Sequence, residues 1–300
     1  MRATKFFGPS CVSGNPMPLA GYTRIILSGY AGGHMLFSWT KFFFSVCSVY
    51  MQVQFLGVGE ACDERCPNTS LHVTAGNGQR FLLDCGFTTP HLYFAVSRDP
   101  DGLDAVWISH FHGDHFFGMP LLLLRFWEMG RTKKLVIAGQ RGTREKITAA
   151  MELAYPGFLP RLRYHLDFVE IEPGQVREIA GTSWHTAENV HSQRCLALCI
   201  DDGAHRIFYS GDGQPTRETE TLARGCDLIV HEAFRLDEEV ENHGSVRGCL
   251  EFAGRAGGKH LALVHVQRDS RESARERIAD LARDSGLYVF LPEPGDIFSL

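Results

Sequence analysis

The sequence predicts an α/β fold in which two mixed β-sheets pack face to face and helices cover the outer faces. Two observations carry this prediction. From residue 51 onward, short apolar runs of strand length alternate with amphipathic stretches of helical length. A succession of strands followed by strand and helix units also occurs twice, with no low-complexity linker between the halves. We therefore expect residues 51–300 to form one domain.

The first half begins with a strand meander bounded by Gly and Asn residues. The run "DAVWISH" is typical of a strand that is covered on both faces, and "PLLLLRFWEMG" predicts a helix that ends at Gly130. The predicted elements are strands at VQFLG, SLHVTA, RFLLDCG and DAVWISH, a helix at PLLLLRFWEMG, a strand at KLVIAG and a helix at GTREKITAAMELAY.

The second half repeats this order and predicts the second sheet. It begins with five consecutive strands, at FVEIE, VREIA, TSWHT, CLALCI and RIFYSGD. A helix at TRETETLARG, a strand at DLIVHEA, a helix at SVRGCLEFAGRAGG and a strand at KHLALVHV follow. A charged helix at 270–284 and a strand in LYVFLPEPGD complete the chain.

Residues 1–50 differ in composition from the rest of the chain. They are rich in Gly, Ser and Phe and end in "HMLFSWTKFFFSVCSVY", an apolar run that Lys41 interrupts. The run is too short and polar for a typical membrane span, and no small-residue cleavage site is evident. We expect residues 1–50 to be a disordered N-terminal extension, or the product of a mis-set start, that adds little to the fold. A membrane-associating or targeting segment is the alternative.

The composition is that of a globular protein, with 44% hydrophobic and 22% charged residues. A net charge of −5 exerts no general attraction on nucleic acid or anionic lipid, so we expect neither a DNA nor a membrane partner. Nine cysteines without regular spacing are not a disulfide framework. They predict a reducing, cytoplasmic setting, and we interpret the pairs Cys62/Cys66 and Cys195/Cys199 as ordinary thiols rather than metal ligands.

One segment is basic against this acidic background. Seven basic and two acidic residues lie between Arg125 and Lys146, and Arg161 and Arg163 follow. A solvated helix-and-turn surface is the simpler interpretation, and a contact surface for phosphates is the alternative.

The most informative stretch is "SHFHGDH", residues 109–115. An extended chain after the strand directs His110 and His112 to the same side, and Gly113 permits a tight turn. Asp114 and His115 then lie at a helix start. Imidazole and carboxylate groups in this arrangement indicate a metal site that suits Zn²⁺ above all, with Mn²⁺ or Fe²⁺ as alternatives.

Three further candidate ligands lie at strand ends. His191 precedes the CLALCI strand, Asp212 ends "RIFYSGD", and His265 ends "LALVH". Gly211 and Gly213 allow the Asp212 carboxylate to approach a metal closely. We expect these side chains to converge with those of the first motif.

The series His-x-His-x-Asp-His, a distant His, then Asp, then His resembles the metallo-β-lactamase superfamily over residues 51 to about 295. The resemblance implies an αβ/βα four-layer sandwich and two zinc ions per chain. It implies one metal held by His110, His112 and His191, and a second held by Asp114, His115 and His265, with Asp212 bridging both. Asp84, in "FLLDCG", matches the family aspartate that supports the ligand loop by hydrogen bonds.

Two later stretches are similar to motifs of ribonuclease Z, the endonuclease that trims the 3′ end of transfer RNA precursors. "HEAF" contains Glu232 and "HGS" contains His243. By this resemblance a hydroxide activated by two metals attacks the phosphodiester, with Asp114 accepting a hydrogen bond from it. His243 protonates the leaving 3′ oxygen, and Glu232 orients His243. His231 is interpreted as a structural strand residue.

The sequence also departs from ribonuclease Z. The interval from His115 to His191, 76 positions along the chain, contains no Gly-rich insertion, so we expect the arm that grips transfer RNA to be absent. Arg268 is a shifted candidate for a phosphate contact. We expect a dinuclear-zinc phosphodiesterase, and the resemblance implies precursor transfer RNA as its substrate and a homodimeric assembly. A small-molecule or cyclic phosphodiesterase, another hydrolase of this fold, and a metal-bound binding protein are the alternatives.

Overall fold

The computed structural model describes residues 25–27, 50–237, 240–283 and 285–300. Within these ranges two β-sheets pack face to face and helices lie against both outer faces, which confirms the predicted layer order. Each sheet contains both parallel and antiparallel pairs, as predicted.

The first sheet has eight strands in the spatial order β1-β15-β2-β3-β4-β5-β6-β7. Their bounds are β1 Ile25–Leu27, β2 Gln52–Gly57, β3 Ser70–Thr74, β4 Arg80–Leu83, β5 Ala105–Ile108, β6 Leu135–Gly139, β7 Leu166–Glu170 and β15 Ile297–Ser299.

The second sheet has seven strands in the spatial order β14-β13-β12-β11-β10-β9-β8. Their bounds are β8 Val176–Ile179, β9 Thr182–Asn189, β10 Cys195–Asp201, β11 Arg206–Tyr209, β12 Leu228–Glu232, β13 His260–Val264 and β14 Tyr288–Phe290.

Helices cover the two outer faces. Their bounds are α1 Thr89–Val96, α2 Gly113–Phe116, α3 Met119–Glu128, α4 Thr143–Ala154, a 3₁₀ turn Leu159–Arg161, α5 Arg217–Ala223, α6 Val246–Arg255 and α7 Arg268–Arg283. Apolar residues of α3 and α4 pack on the first sheet, and those of α5, α6 and α7 pack on the second.

Large aromatic side chains join the two sheets across the central layer. The Trp184 ring packs edge-on against Phe81 at 5.3 Å between centroids and lies 6.2 Å from the Trp107 ring. All three side chains are fully buried. Alternate residues along each strand supply this layer, because side chains on a strand point to opposite faces in turn.

The parallel strands determine where the functional side chains lie. β4, β5 and β6 run parallel in the first sheet, and β11, β12 and β13 run parallel in the second. Their carboxyl ends meet at one edge of the sandwich, which is where ligand sites form in such sheets. The residues that follow these strand ends are therefore brought together.

The helix α1 and the strand β15 were absent from the sequence prediction. The segment Thr89–Val96 forms α1, but its apolar residues follow no clear helical period. The three-residue strand β15 is too short for a pattern, and it returns to the first sheet beside β2, whereas β14 belongs to the second. Both elements form through tertiary pairing and packing rather than local signals.

Within the predicted extension, residues 1–50, the structure describes Tyr50 and the strand β1, which pairs in parallel with β15. The other residues predicted as an extension, up to 49, lie outside the described residues, so that hypothesis stays a prediction. In the described part of the chain, no helix combines the length and apolar character needed to cross a membrane.

Candidate metal centre

Three histidines converge at the first position. The His112 Nδ1 atom lies 3.0 Å from His110 Nε2 and 3.1 Å from His191 Nε2. Nitrogen ligands of one tetrahedral zinc ion lie roughly 3.3–3.4 Å apart, given Zn–N bonds of about 2.0–2.1 Å. The three imidazoles are thus spaced and oriented as ligands of one ion.

A second group lies beside the first. The Asp114 Oδ2 atom is 3.2 Å from His115 Nε2 and 3.4 Å from His265 Nε2. The Asp212 Oδ2 atom is 3.3 and 3.4 Å from the same two nitrogens. It also lies 3.9 Å from His110 Nε2 and 4.0 Å from His191 Nε2. Asp212 therefore faces both groups, and the seven residues expected as ligands are brought together as two sets that share one carboxylate.

The donor atoms of this cluster fit two divalent cations. The His115 Nε2 and Asp212 Oδ1 atoms are buried and have no hydrogen-bond partner, which is rare for polar atoms in a protein interior. Five imidazoles and two carboxylates are ligands typical of zinc, manganese or iron. Two such ions would satisfy the unpartnered atoms.

Asp84 anchors the loop that carries the candidate ligands by hydrogen bonds. Its buried carboxylate accepts hydrogen bonds from the Ser109 amide at 2.8 Å and from the Ser109 hydroxyl, the His115 Nδ1–H and the Tyr209 hydroxyl, each at 2.7 Å. Because Nδ1 of His115 donates to Asp84, its Nε2 faces the site and carries a lone pair there whenever the ring is neutral. Asp84 has a φ of 59°, a left-handed conformation that costs energy in a non-glycine residue.

The outer histidines are oriented in the same way. The Nδ1–H of His191 donates to the Asn242 carbonyl at 2.7 Å, which leaves Nε2 for the site. The Nδ1 atom of His110 lies 3.0 Å from the Ser109 hydroxyl oxygen. His265 has a φ of 55°, so a second strained residue lies at the centre.

Three glycines shape the ligand-bearing turns, for different reasons. Gly211 and Gly213 have φ values of 61° and 114°, as their expected role requires. Gly113 has an ordinary backbone conformation, so the turn does not require glycine there for a positive φ. A Cβ atom at this position would lie 2.5 Å from the Phe87 ring and 2.7 Å from the Phe117 ring, and these exposed rings would have to move to admit it.

The electrostatics of the buried cluster favour ionised carboxylates. Burial raises the pKa of Asp212, but the positive charges that His115 and His265 can carry outweigh it and hold that pKa well below its usual range. Asp114 follows the same pattern, because His115 overcomes the effect of burial on its pKa. Burial, reinforced by the charge on His115, holds the pKa of His110 well below 6.5. Anionic oxygens and a neutral imidazole are the forms that bind metals.

A glutamate and a histidine lie at the mouth of the cluster. Glu232 is fully buried, and its Oε1 accepts hydrogen bonds from the amides of Gly213 and Gly244 at 2.8 Å each and from His243 Nδ1 at 3.3 Å. The His243 ring is partly exposed and stacks on Phe234 at 4.9 Å between centroids. Burial lowers the pKa of His243, but the bond to Glu232 and its charge raise it above 6.5 overall.

His231 does not face the site. It is buried between Phe208 and Phe252 beneath α6, and its Nδ1 lies 2.8 Å from the Glu232 carbonyl oxygen. The structure thus places it as a strand residue, as expected.

Several residues that contact the candidate ligands or Asp84 were not predicted from the sequence. The Cys195 Sγ atom lies 3.6 Å from His110 Nδ1 and accepts a hydrogen bond from the Asp212 amide at 3.3 Å. Its partner in the sequence pattern, Cys199, lies 3.7 Å from Cys226 in the outer core. The hydrogen bonds of Ser109 to Asp84 could have been suspected from the sequence only because Ser109 directly precedes the candidate ligand His110. The contact of Tyr209 with Asp84 spans 125 residues, and no local sequence feature indicated it.

Arg268 is engaged by carboxylates. It forms ion pairs with Glu60 and, at 3.5 Å, with Glu64. A phosphate would have to compete with both groups, so Arg268 is not placed as a ready phosphate contact.

The basic segment has more than one role. Arg131 is fully buried and donates to the carbonyls of Pro100, Leu103 and Lys134, so the surface interpretation was wrong for this residue. Lys133 pairs with Asp104 at 2.6 Å. These residues stabilise the fold.

The described interval between the ligand motifs contains no arm. Residues 116–190 form α3, α4, the 3₁₀ turn and strands β6 to β9, all of which belong to the sandwich. This agrees with the expectation drawn from the missing glycine-rich insertion.

Comparison with known proteins agrees with this geometry. The chain is 30% identical over 239 residues to a ribonuclease Z from Mycobacterium sp. (strain KMS), covering 72% of this chain and 84% of that protein. The metallo-β-lactamase fold protein YhfI from Bacillus subtilis superimposes with a TM-score of 0.70 at 21% identity, covering 84% and 99% of the two chains. The short form of human tRNase Z, ELAC1, gives a TM-score of 0.67 at 21% identity, covering 82% and 98%.

The fold and the site therefore define a metal-dependent hydrolase of the metallo-β-lactamase superfamily, on its ribonuclease Z-like branch. Within this class the chain belongs to the family described as anti-Pycsar protein Apyc1, whose model matches residues 51–284.

Proposed function

We propose that the chain is a two-metal phosphodiesterase, with zinc as the native metal. The observation that carries this proposal is the Glu232–His243 pair at the edge of the ligand cluster. Hydrolysis of a phosphodiester expels an alkoxide, which needs a proton donor. A histidine whose pKa a buried carboxylate raises is suited to that task near neutral pH.

Each protein group has one task in the proposed reaction. His110, His112 and His191 would hold one ion, Asp114, His115 and His265 the other, and Asp212 both. When bound, the ions would neutralise phosphate charge and lower the pKa of water. Asp114 accepts a hydrogen bond from the attacking water. His243, held at Nδ1 by Glu232, gives the proton on Nε2 to the leaving 3′ oxygen, so the products are a 5′-phosphate and a 3′-hydroxyl.

The first candidate substrate is the 3′ trailer of a precursor transfer RNA. The support is the name ribonuclease Z, which the curated relatives carry at 24–30% identity. On this proposal the ribose 2′-hydroxyl takes no part in the cleavage.

A second candidate is a small or cyclic phosphodiester. It is favoured by the compact fold of residues 116–190, which offers no arm to hold a transfer RNA away from the site. The pairing of Arg268 with Glu60 also removes one candidate contact for an RNA backbone.

One experiment tests the proposal and separates the candidates. The zinc-loaded protein and its His243→Ala variant would each receive bis-p-nitrophenyl phosphate and, separately, a precursor transfer RNA with a 3′ trailer. Cleavage at the trailer boundary that the variant loses supports the processing nuclease. Turnover of the small diester alone assigns the second candidate, and no turnover of either by the zinc-loaded protein contradicts the phosphodiesterase.

A further inference from the structure

Two cysteine thiols contact each other beneath the helices that cover the second sheet. Cys199 lies in β10, and Cys226 lies in the turn between α5 and β12. Their Sγ atoms are 3.7 Å apart, and both side chains belong to the buried outer core. A bond between the sulfurs requires a further approach of roughly 1.6–1.7 Å. Because Cys226 belongs to neither a helix nor a strand, its turn can supply that movement.

The guanidinium group of Arg206 makes the two thiols unequal. Its Nη2 donates to Cys199 Sγ at 3.5 Å, while its Nε lies 3.3 Å from the Asp201 carboxylate. The hydrogen bond from Cys226 and the charge of Arg206 lower the pKa of Cys199 below 9.0, although burial opposes them. The same hydrogen bond and burial raise the pKa of Cys226. Because the thiolate is the reactive form, Cys199 is the nucleophile of the pair and Cys226 keeps its proton.

A surface groove gives small molecules a route to this pair. The groove has a volume of about 520 Å³, and Arg206 and Leu222 are among the residues that line it. Arg206 contacts the Cys199 sulfur, and the Leu222 carbonyl oxygen lies 3.9 Å from the Cys226 sulfur. His185, the neighbour of Cys199 across β9 and β10, also lines the groove. A single layer of side chains therefore separates the groove from both sulfurs.

We propose that Cys199 and Cys226 are an oxidation site, at which a peroxide converts the two thiols into a disulfide. The Cys199 thiolate attacks one oxygen of hydrogen peroxide and the O–O bond breaks, which gives a sulfenic acid and hydroxide. The hydroxide takes up the proton that Cys199 released. The Cys226 sulfur then attacks the Cys199 sulfur, and the S–O bond breaks as water leaves with the Cys226 proton. The thiols lose two electrons in total, and the peroxide becomes two molecules of water.

The cross-link would join two parts of the chain that are 27 positions apart. The enclosed segment contains β11, the turn that carries Asp212, and α5. Closing such a loop restricts the unfolded chain and thereby stabilises the folded one. Cys226 precedes β12, whereas Glu232 ends that strand beside the candidate ligands. The proposal is therefore independent of the reaction catalysed at the metal centre.

The test treats the folded, zinc-loaded protein with hydrogen peroxide and then alkylates the remaining thiols in denaturant. Mass spectrometry of the digest should show a peptide pair joined through Cys199 and Cys226. Its mass should be about 2 Da below the sum of the two thiol peptides, and dithiothreitol should separate it. We expect the oxidised protein to melt roughly 4–12 °C above the reduced protein. This increase should be absent from Cys226→Ala, in which dimedone should trap Cys199 as its sulfenic acid.

Two further variants show whether the reaction depends on this site. Cys62→Ser, which removes an exposed thiol, is the matched control and should form the cross-link at the wild-type rate. Arg206→Gln keeps both thiols but removes the charge beside Cys199, and should slow the cross-link roughly 3- to 30-fold. Cys199 and Cys226 that both remain alkylatable after peroxide has oxidised Cys62 would overturn the proposal. An unchanged rate in Arg206→Gln would overturn the assignment of Cys199 as the activated thiol.

Discussion

At the scale of single residues, the centre depends on which nitrogen of each imidazole is free. His115 presents Nε2 because its Nδ1–H donates a hydrogen bond to Asp84, and His191 presents Nε2 because its Nδ1–H donates to the Asn242 carbonyl. These supporting contacts select the tautomers that can bind a cation. The ligand residues alone, without their partners, would not be held in the binding form.

Replacement of Asp84 by asparagine should weaken metal binding. The amide presents an N–H₂ group where the carboxylate now accepts bonds from Ser109, His115 and Tyr209. We expect the zinc affinity, measured by competition with a chromophoric chelator, to fall about 10- to 100-fold. Asp202→Asn is the control, because Asp202 caps the amides of Gly76 and His205 in loops between strands. Equal zinc affinity in wild type and Asp84→Asn would contradict the supporting role.

His72 makes the fold sensitive to acid. Burial, aided by the charge of Arg80, lowers its pKa to about 4 from an ordinary 6.5. The unfolded chain therefore takes up a proton as the pH falls through 6.5, whereas the folded chain takes it up only near pH 4. The free energy of unfolding therefore decreases as the pH falls from 6.5 towards 4, and at pH 5 the decrease due to His72 is roughly 2 kcal/mol.

Replacement of His72 by phenylalanine should remove the part of the pH dependence of stability that His72 causes. The aromatic ring retains the edge-on contact with Tyr93, now 5.6 Å between centroids. We expect the difference in unfolding free energy between pH 7 and pH 5, measured with urea, to be about 2 kcal/mol smaller in the variant. Other titrating groups are common to both proteins and cancel in this comparison. An unchanged difference would show that His72 is protonated in the folded protein at pH 5.

At the scale of elements, the turns after β5, β11 and β13 matter more than the strands themselves. The turn after β11 carries Asp212 between two glycines with positive φ. A Cβ atom on Gly211 would lie 2.7 Å from the Ser109 Cβ atom and 2.8 Å from Cys195 Sγ. Backbone conformation and lack of space therefore both require glycine at this position.

The Gly211→Ala variant should be destabilised by about 2–4 kcal/mol, the combined effect of a left-handed alanine and an overpacked interior. It should also bind zinc more weakly, because Asp212 is displaced with its turn. Gly203→Ala is the matched control, since Gly203 has a φ of 89° but no atom within 4 Å of the added Cβ. Urea unfolding and metal content of both variants check the prediction. Equal stability loss in the two variants would rule out crowding at Gly211.

The strands of the sandwich and the candidate ligands could be read from the sequence because their signals are local. "SHFHGDH" places four candidate ligands within six residues, and strand-length apolar runs locate the sheets. The remainder depends on distant contacts. Nothing near Tyr209 in sequence reveals that its hydroxyl supports Asp84, and nothing near Cys195 reveals its contact with Asp212. Arg131 was misread for the same reason, since the carbonyls that it caps come from separate segments.

At the scale of the whole molecule, the packing of the two sheets positions the side chains of the site. The candidate ligands come from both sheets, so neither half of the sandwich holds a complete candidate set. His110, His112, Asp114 and His115 follow β5 of the first sheet, whereas His191, Asp212 and His265 follow strands of the second. Metal binding therefore couples the two halves, and a cation that binds only the folded chain will stabilise it.

We propose that two metal ions, held by these two ligand sets, are both needed for phosphodiester hydrolysis. The most direct measurement is the hydrolysis rate of bis-p-nitrophenyl phosphate by metal-stripped protein as zinc is added in known molar ratio. We expect two equivalents to bind and hydrolysis to reach its full rate only with the second. Full activity at one equivalent, or binding of a single equivalent, would contradict it.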